Sequence, residues 1–262
     1  MKTSHSITRR AGLIGAGALT LSLAGGLRAT ELVAGETDTV ARVTSGHSLI
    51  LKSGLKVRLA GITAPRWDAP LGREAQGALA ALVEGRTVRL SYGGDPRDRY
   101  DRALAQVHQL SADGRESVWL QAEMVRRGMA RVYTWPDEKI DVDTLYREEV
   151  RARERAEGLW ADPAYAVRGP DPNALAQFVD SVQLVEGIVT STADIRGRAY
   201  LNFGADYRTD FTVAVAKKHR KRFTQTDPVS LEGARVRVRG WIELTNGPMI
   251  WASHPARIEI LT

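Results

Sequence analysis

The sequence predicts a mainly β fold with helices, laid out as two successive β units, and three observations carry that prediction. Short β-type runs bounded by turn residues recur in both halves of the chain. Three segments with apolar residues at helical spacing each close on a glycine. Between residues 160 and 173, Pro163, Gly169, Pro170 and Pro172 interrupt every periodicity, which places a linker at 163–174.

In the first unit, residues 40–43, 48–51 and 56–60 read as strands, and Lys52-Ser53-Gly54 is the turn between the last two. A helix is expected from Gly72 to Val83, with Ala75, Ala78, Leu79 and Leu82 on one face and Gly85 beyond its end. Residues 87–92 and 103–110 return to strand around the polar loop 95–102. Two further helices are expected over 118–127, stopped by Gly128, and over 143–157, stopped by Gly158. In the second unit, 175–262, strands are expected at 183–191, 198–203, 211–216, 234–244 and 249–261. A short helix falls at 217–223, and Thr245-Asn246-Gly247-Pro248 is a turn. Asp206 and Asp210 read as a polar turn rather than a metal seat.

Ahead of both units, Lys2, Arg9 and Arg10 precede an uncharged apolar run over 11–24 that ends among small residues near Ala29. This pattern predicts a signal peptide over 1–29 and a periplasmic or secreted protein, and Arg9-Arg10 also fits a twin-arginine leader. The run falls short of the roughly 20 residues a membrane span needs, so no anchor is expected once it is removed. Residues 30–39 are left as a short extension. The chain has no cysteine, which excludes disulfides, thiolate metal sites and a Cys nucleophile. Loss of the leader removes four cations (Lys2, Arg9, Arg10, Arg28) and no acid from a formal charge of +6, leaving +2. Polyanion binding must therefore rest on where the cations lie rather than on their number.

Several strings within 40–162 carry a family resemblance. They are residues 57–65, Gly72-Arg73-Glu74-Ala75, Asp98-Arg99-Tyr100-Asp101-Arg102-Ala103-Leu104-Ala105, residues 124–133 and Glu157-Gly158-Leu159-Trp160. In order and spacing they resemble the staphylococcal nuclease family, also called thermonuclease-like or SNase-like. The resemblance implies a five-stranded OB barrel with three helices. It also implies phosphodiester hydrolysis by a calcium ion held largely by two aspartates, a glutamate that handles the attacking water, and two arginines that clamp the phosphate.

Both arginine positions are kept, as Arg58 and Arg102, with Tyr100 in its family place. The first aspartate position is His47, in Ser45-Gly46-His47-Ser48. The second is Thr63 and the glutamate position is Arg66, both in Ile62-Thr63-Ala64-Pro65-Arg66. Calcium takes about six to eight oxygen ligands, carboxylates among them. This set lacks those acids, so no cofactor is expected and the family's catalysis is expected to be impaired, as in a pseudoenzyme. Arg58, Arg66 and Arg102 would then converge as a metal-independent phosphate pocket; alternatively, Arg66 and Arg102 pair with Asp68, Glu74 or Asp101. An active phosphodiesterase with a rearranged site also stays open, with His47 as base beside Arg58 and Arg102 and with Asp68 or Glu74 orienting its ring.

Three strands, a helix and a hairpin in the second unit again follow OB order, so a second small OB-like β barrel is expected. Its densest cationic run holds Lys217, Lys218, Arg220, Lys221 and Arg222, while Arg235, Arg237 and Arg239 alternate along one strand. With Tyr200, Phe203, Tyr207, Trp241 and Trp251 these could line a groove for single-stranded DNA or RNA; otherwise they are solvated charges and core aromatics. The sequence points to an exported thermonuclease-like protein that binds nucleic acid or another phosphate-rich polyanion. A periplasmic module that binds a protein partner is the alternative outside that class.

Overall fold

The computed structural model describes residues 32–138 and 140–261, so the expected signal peptide lies outside the described residues. The fold is mainly β with some helices. In the first half the order is β1 (Val33–Ser45), β2 (Ser48–Leu51), β3 (Lys56–Leu59), β4 (Ile62–Thr63), α1 (Gly72–Val83), β5 (Thr87–Tyr92) and β6 (Ala103–Leu110). There follow β7 (Glu116–Trp119), α2 (Leu120–Arg126), β8 (Arg131–Val132) and α3 (Val142–Glu154).

β1 is long enough to pair with β2 at one end and β5 at the other. β2 pairs with β3, β3 runs parallel to β6, and β6 returns antiparallel to β5. The five strands β1-β2-β3-β6-β5 therefore close into a barrel, consistent with the staphylococcal-nuclease type. Inward positions at the strand period of two, such as Leu49, Leu51, Val57, Leu59, Val88 and Leu90, are buried and form its core. Ala75, Leu79 and Val83 on one face of α1 cover that core. Two glycines are fixed by close approach. A Cβ on Gly72 would sit 1.8 Å from the Arg66 carbonyl oxygen. Gly128 takes φ 63°, and a Cβ there would sit 2.1 Å from the Glu157 carbonyl oxygen. Leu159 N–H donates to the Gly128 carbonyl at 2.8 Å, fastening the end of α2 to the end of α3.

The second half contains α4 (Pro172–Ala176), β9 (Val182–Ile188), β10 (Ser191–Ile195), β11 (Arg198–Asn202), β12 (Thr212–Val215) and α5 (Lys217–Arg220). It ends with β13 (Arg235–Thr245), β14 (Gly247–Trp251) and β15 (Ile258–Leu261). β10 pairs with β11 and β11 with β12, and β12 runs parallel to β14. β14 pairs with β13, and β13 pairs with β9. Since β9 leads into β10, the circuit repeats that of the first half, parallel seam included. A separate core of Val185, Leu201, Phe211, Val213, Val236 and Ile250 lies inside it.

Several elements differ from the sequence expectation. β1 begins at Val33, within the stretch read as an extension: residues 33–39 pair with β5 through their backbone while their side chains stay exposed or half-buried, so no apolar alternation marks them. Val118 and Trp119 end β7 instead of opening a helix, held by pairing with Gln109 and His108. Residues 249–261 are two strands, since Pro255 starts a short 3₁₀ turn between β14 and β15. β10 was missed because Ser-Thr-Ala-Asp-Ile shows no strong apolar alternation, yet it pairs along its length with β11. Residues 163–174 include a 3₁₀ turn and the start of α4, and Arg168 bridges to Val185.

The halves meet through buried polar groups. Arg239 on β13 has no exposed surface, and its guanidinium donates to both Glu149 carboxylate oxygens on α3 at 3.1 and 2.8 Å, to the Val132 carbonyl at 3.0 Å and to Glu259. Glu149 also accepts from Val132 N–H at 2.7 Å. Removing one member of a buried ion pair strands the other charge, at a cost of about 3–5 kcal/mol, whereas an exposed pair contributes about 0–1 kcal/mol. Arg239→Met is accordingly expected to lower the urea-denaturation free energy by about 3–5 kcal/mol, against at most about 1 kcal/mol for Arg235→Ala, whose partner Glu186 it meets with a 65% exposed side chain. Equal stability of the Arg239→Met chain and the parent would refute this role.

Candidate anion-binding pocket

The parallel seam of the first barrel places Arg58 on β3 opposite Ser48 of β2 and Leu104 of β6. Arg102 immediately precedes β6, and its Nη1 lies 3.5 Å from Ser48 Oγ. Both arginines line an open pocket of about 530 Å³ together with His47, Arg99, Tyr100 and Trp135. Tyr100 and Trp135 are exposed aromatics on its rim, and Arg99 and Arg102 lie 4.7 and 5.4 Å from the centre of the Tyr100 ring.

Asp98 organises the loop that carries Arg102. One carboxylate oxygen accepts the Tyr100 and Arg102 amides at 2.9 and 3.1 Å, and the other accepts Arg102 Nε at 2.8 Å. Burial opposes its charge, but these bonds together outweigh it and hold the carboxyl below its ordinary value. Arg58 differs. Its guanidinium donates to the Ile62 carbonyl at 3.4 Å and has no ion-pair partner among the described residues. Burial first, and the Arg102 charge second, pull its pKa down.

His47 accepts the Ala64 N–H on Nδ1 at 3.0 Å, which puts the proton of the neutral ring on Nε2. Burial, with the Arg58 and Arg102 charges behind it, lowers its pKa to about 3. It is therefore a neutral N–H donor and a poor base. Asp68 and Glu74 do not orient the ring, because the backbone of Ala64 does.

The other residues singled out in the sequence scatter. Arg66 does not line the pocket: the turn after it packs Gly72 against its carbonyl, and its 82% exposed side chain pairs with Asp68 at 3.2 Å. Thr63 sits on β4 opposite Arg131 of β8. A calcium ion needs hard oxygen donors. His47 offers a nitrogen whose lone pair is already used, Thr63 one hydroxyl and Arg66 a cation, so this set does not fit that ion. In the second half, Lys217, Lys218 and Lys221 are exposed. Arg220 is held by Asp194 and Asp227 at 3.0 and 2.7 Å, and Arg222 by Asp137 at 3.0 Å. Arg235 and Arg237 bind Glu186 at 2.5 and 2.6 Å, and Arg239 is buried. The three alternating arginines therefore do not form an open cationic groove, because acids on β9, β15 and α3 neutralise them. Phe203 packs in the core against Phe211, while Tyr207, Trp241 and Trp251 stay at the surface.

Sequence reasoning missed Arg99, Trp135 and Glu138. Arg99 lies inside the Asp98-to-Ala105 string, but Trp135 and Glu138 fall in an aperiodic loop that gives no local signal. The Glu138 carboxylate accepts the Trp135 N–H at 2.9 Å, and its second oxygen is buried without a hydrogen-bond partner. Burial pushes its pKa up to about 7, against the pull of the Arg58 charge.

A closed barrel that presents paired arginines at its parallel seam defines a nuclease-type scaffold. Residues 56–162 match the family described as staphylococcal nuclease homologue. An Escherichia coli O157:H7 protein described as an uncharacterized endonuclease is 33% identical over 126 residues, which is 47% of this chain and 76% of that protein. A Shigella flexneri protein described as micrococcal nuclease is 32% identical over 130 residues, covering 47% of this chain and 73% of the relative. A Haemophilus influenzae uncharacterized endonuclease is 34% identical over 126 residues, 48% of this chain, but the match spans only 61% of its length. The chain belongs to the staphylococcal nuclease homologue family.

The raised Glu138 pKa has a definite sign. The folded protein keeps a proton that the unfolded chain releases near the ordinary carboxyl value of 4.5. The stabilising contribution is thus fully present below about pH 4.5 and is lost as the pH rises through about 7. Denaturation free energies measured across that window should fall with rising pH, and Glu138→Gln should flatten this component. A slope unchanged by the substitution would contradict the assignment.

Proposed function

We propose that this protein binds nucleic acid or another phosphate-rich polyanion on its nuclease-type barrel, and that the calcium-dependent hydrolysis of the family is not its reaction. The observation that carries this reading is the pocket itself, where Arg58 and Arg102 stand side by side with the Nε2–H of a neutral His47, a donor set for phosphate oxygens. The residues at the acid positions, His47, Thr63 and Arg66, support the second clause. In this reading the arginines and His47 hold a phosphate, and Tyr100 and Trp135 offer faces on which bases can stack. The reading includes export to the periplasm or medium after removal of residues 1–29. It also treats 40–162 and 175–262 as two domains, the second OB-like, on the strength of their matching strand circuits. Hydrolysis with His47 as base is the weaker alternative, because a ring with a pKa of about 3 takes up little proton at neutral pH.

The test is retention and cleavage of fluorescein-labelled oligothymidylate, with calcium or with chelator, over roughly 50 to 200 mM salt. Binding without cleavage is expected, equal in calcium and chelator and weaker as salt rises. Each charge-assisted contact contributes about 1.5–3 kcal/mol, so the Arg58→Ala/Arg102→Ala double variant should bind at least about tenfold more weakly, while Arg66→Ala binds as the parent does. Calcium-dependent cleavage would overturn the reading, as would salt-independent retention, which is what a protein-interaction module predicts.

A further inference from the structure

The pocket belongs to the first barrel, yet one of its walls is fastened by the second half. Trp135 supplies that wall, in the loop that continues from β8. Arg257, between β14 and β15, is 4% exposed and donates to the Thr134 carbonyl at 2.8 Å. Its guanidinium lies 3.7 Å from the centre of the Tyr133 ring and 5.8 Å from that of Trp135. The neighbouring His254 Nε2 meets Thr134 Oγ1 at 2.7 Å, with both residues buried. Further along the loop, Arg222 binds Asp137 at 3.0 Å. From its own half the loop has backbone bonds from Tyr133 N–H to the Gly61 carbonyl and from Glu138 N–H to the Trp135 carbonyl, the Trp135 N–H bond to the Glu138 carboxylate, and an edge contact between the Tyr133 and Trp135 rings.

We infer that Arg257, with His254 and Arg222 beside it, is a positioning residue for the anion pocket: the second half sets the place of Trp135 and thereby the affinity of the first-half site. This rests on the anion-binding reading above but makes a separate structural claim. Backbone hydrogen bonds alone leave a loop tip free to rotate its side chains. Here a planar guanidinium fixes the Thr134 carbonyl and the Tyr133 ring at once, a geometry a point-charge ammonium does not reproduce. The junction also contains contacts remote from this loop and from the turn that carries Arg257, such as the Tyr165 hydroxyl on the Pro70 carbonyl at 2.6 Å. These provide a control for mere gluing of the halves.

The experiment uses the full chain and two readouts. One is affinity for fluorescein-labelled oligothymidylate. The other is acrylamide quenching of Trp135, taken as the difference between each chain and its Trp135→Phe counterpart, which needs no ligand. Arg257→Gln is expected to make Trp135 more quenchable and to weaken binding about tenfold, with Arg257→Lys restoring neither fully; Tyr165→Phe should change neither readout. Should Arg257→Gln fail to fold, the surface pair decides: Arg222→Asp should raise quenching and weaken binding a few-fold, and adding Asp137→Arg should restore both. Parental quenching in Arg257→Gln, or in Arg222→Asp where the former is unfolded, overturns the inference, as does weaker binding without a change at Trp135. If the parent chain binds no polyanion, the anion-binding reading fails while the quenching result still tests the brace.

Discussion

The interaction on which the rest of the structure depends is the burial of Arg239. A guanidinium cannot leave water without a partner, and beside Glu259 of its own half the carboxylate that meets it through two bonds is on another element, Glu149 of α3, 90 residues earlier in the chain. β13 is therefore pinned against α3, and the Tyr146 ring stacks 4.4 Å from the same guanidinium. The Val132 carbonyl and amide are drawn into the cluster, which fixes β8 and hence the start of the loop bearing Trp135. A charge pair that contributes little net stability can in this way dictate geometry, because a displaced register leaves a bare charge inside.

Arg131 extends the same logic one residue earlier. It is nearly enclosed, and burial lowers its pKa to about 10, while its guanidinium donates to the Val182 carbonyl at the start of β9. Tyr165, 5.3 Å away, also hydrogen-bonds the Pro70 carbonyl at 2.6 Å. Three buried arginines, Arg131, Arg239 and Arg257, thus cross the junction, each donating to a carbonyl or carboxylate of the other half while one nitrogen of each stays without a partner. A seam built from such directional groups tolerates little sliding, unlike an apolar one.

What the sequence disclosed follows from how local each signal is. The barrel strands were legible because inward side chains repeat every second residue, and Arg58 and Arg102 were legible because each lies within a contiguous string. The direction of Arg66 was not, since it is decided by a turn whose shape depends on Gly72 packing against a carbonyl. Arg235, Arg237 and Arg239 were correctly placed on one strand, but strand periodicity says nothing of the acids on β9, β15 and α3 that meet them. Trp135 and Glu138 could not be found from sequence periodicity at all. Their places come from the barrel wall on one side and from Arg257 and Arg222 on the other.

The pocket electrostatics complete the argument. Asp98 hydrogen-bonds Arg102 and the loop amides rather than Arg58, and its charge favours the Arg58 cation only from a distance. Glu138 is the other nearby carboxyl, but burial raises its pKa to about 7 and so opposes its charge. Arg58 is left as a desolvated cation pressed by a second cation, a state that like-charge repulsion disfavours. In the proposed reading, a phosphate bound between the two guanidiniums relieves that repulsion and supplies the anionic acceptor that Arg58 lacks. On the anion-binding proposal, His47, Thr63 and Arg66 at the acid positions leave the site cationic, and the bound anion is the counter-charge that Arg58 lacks.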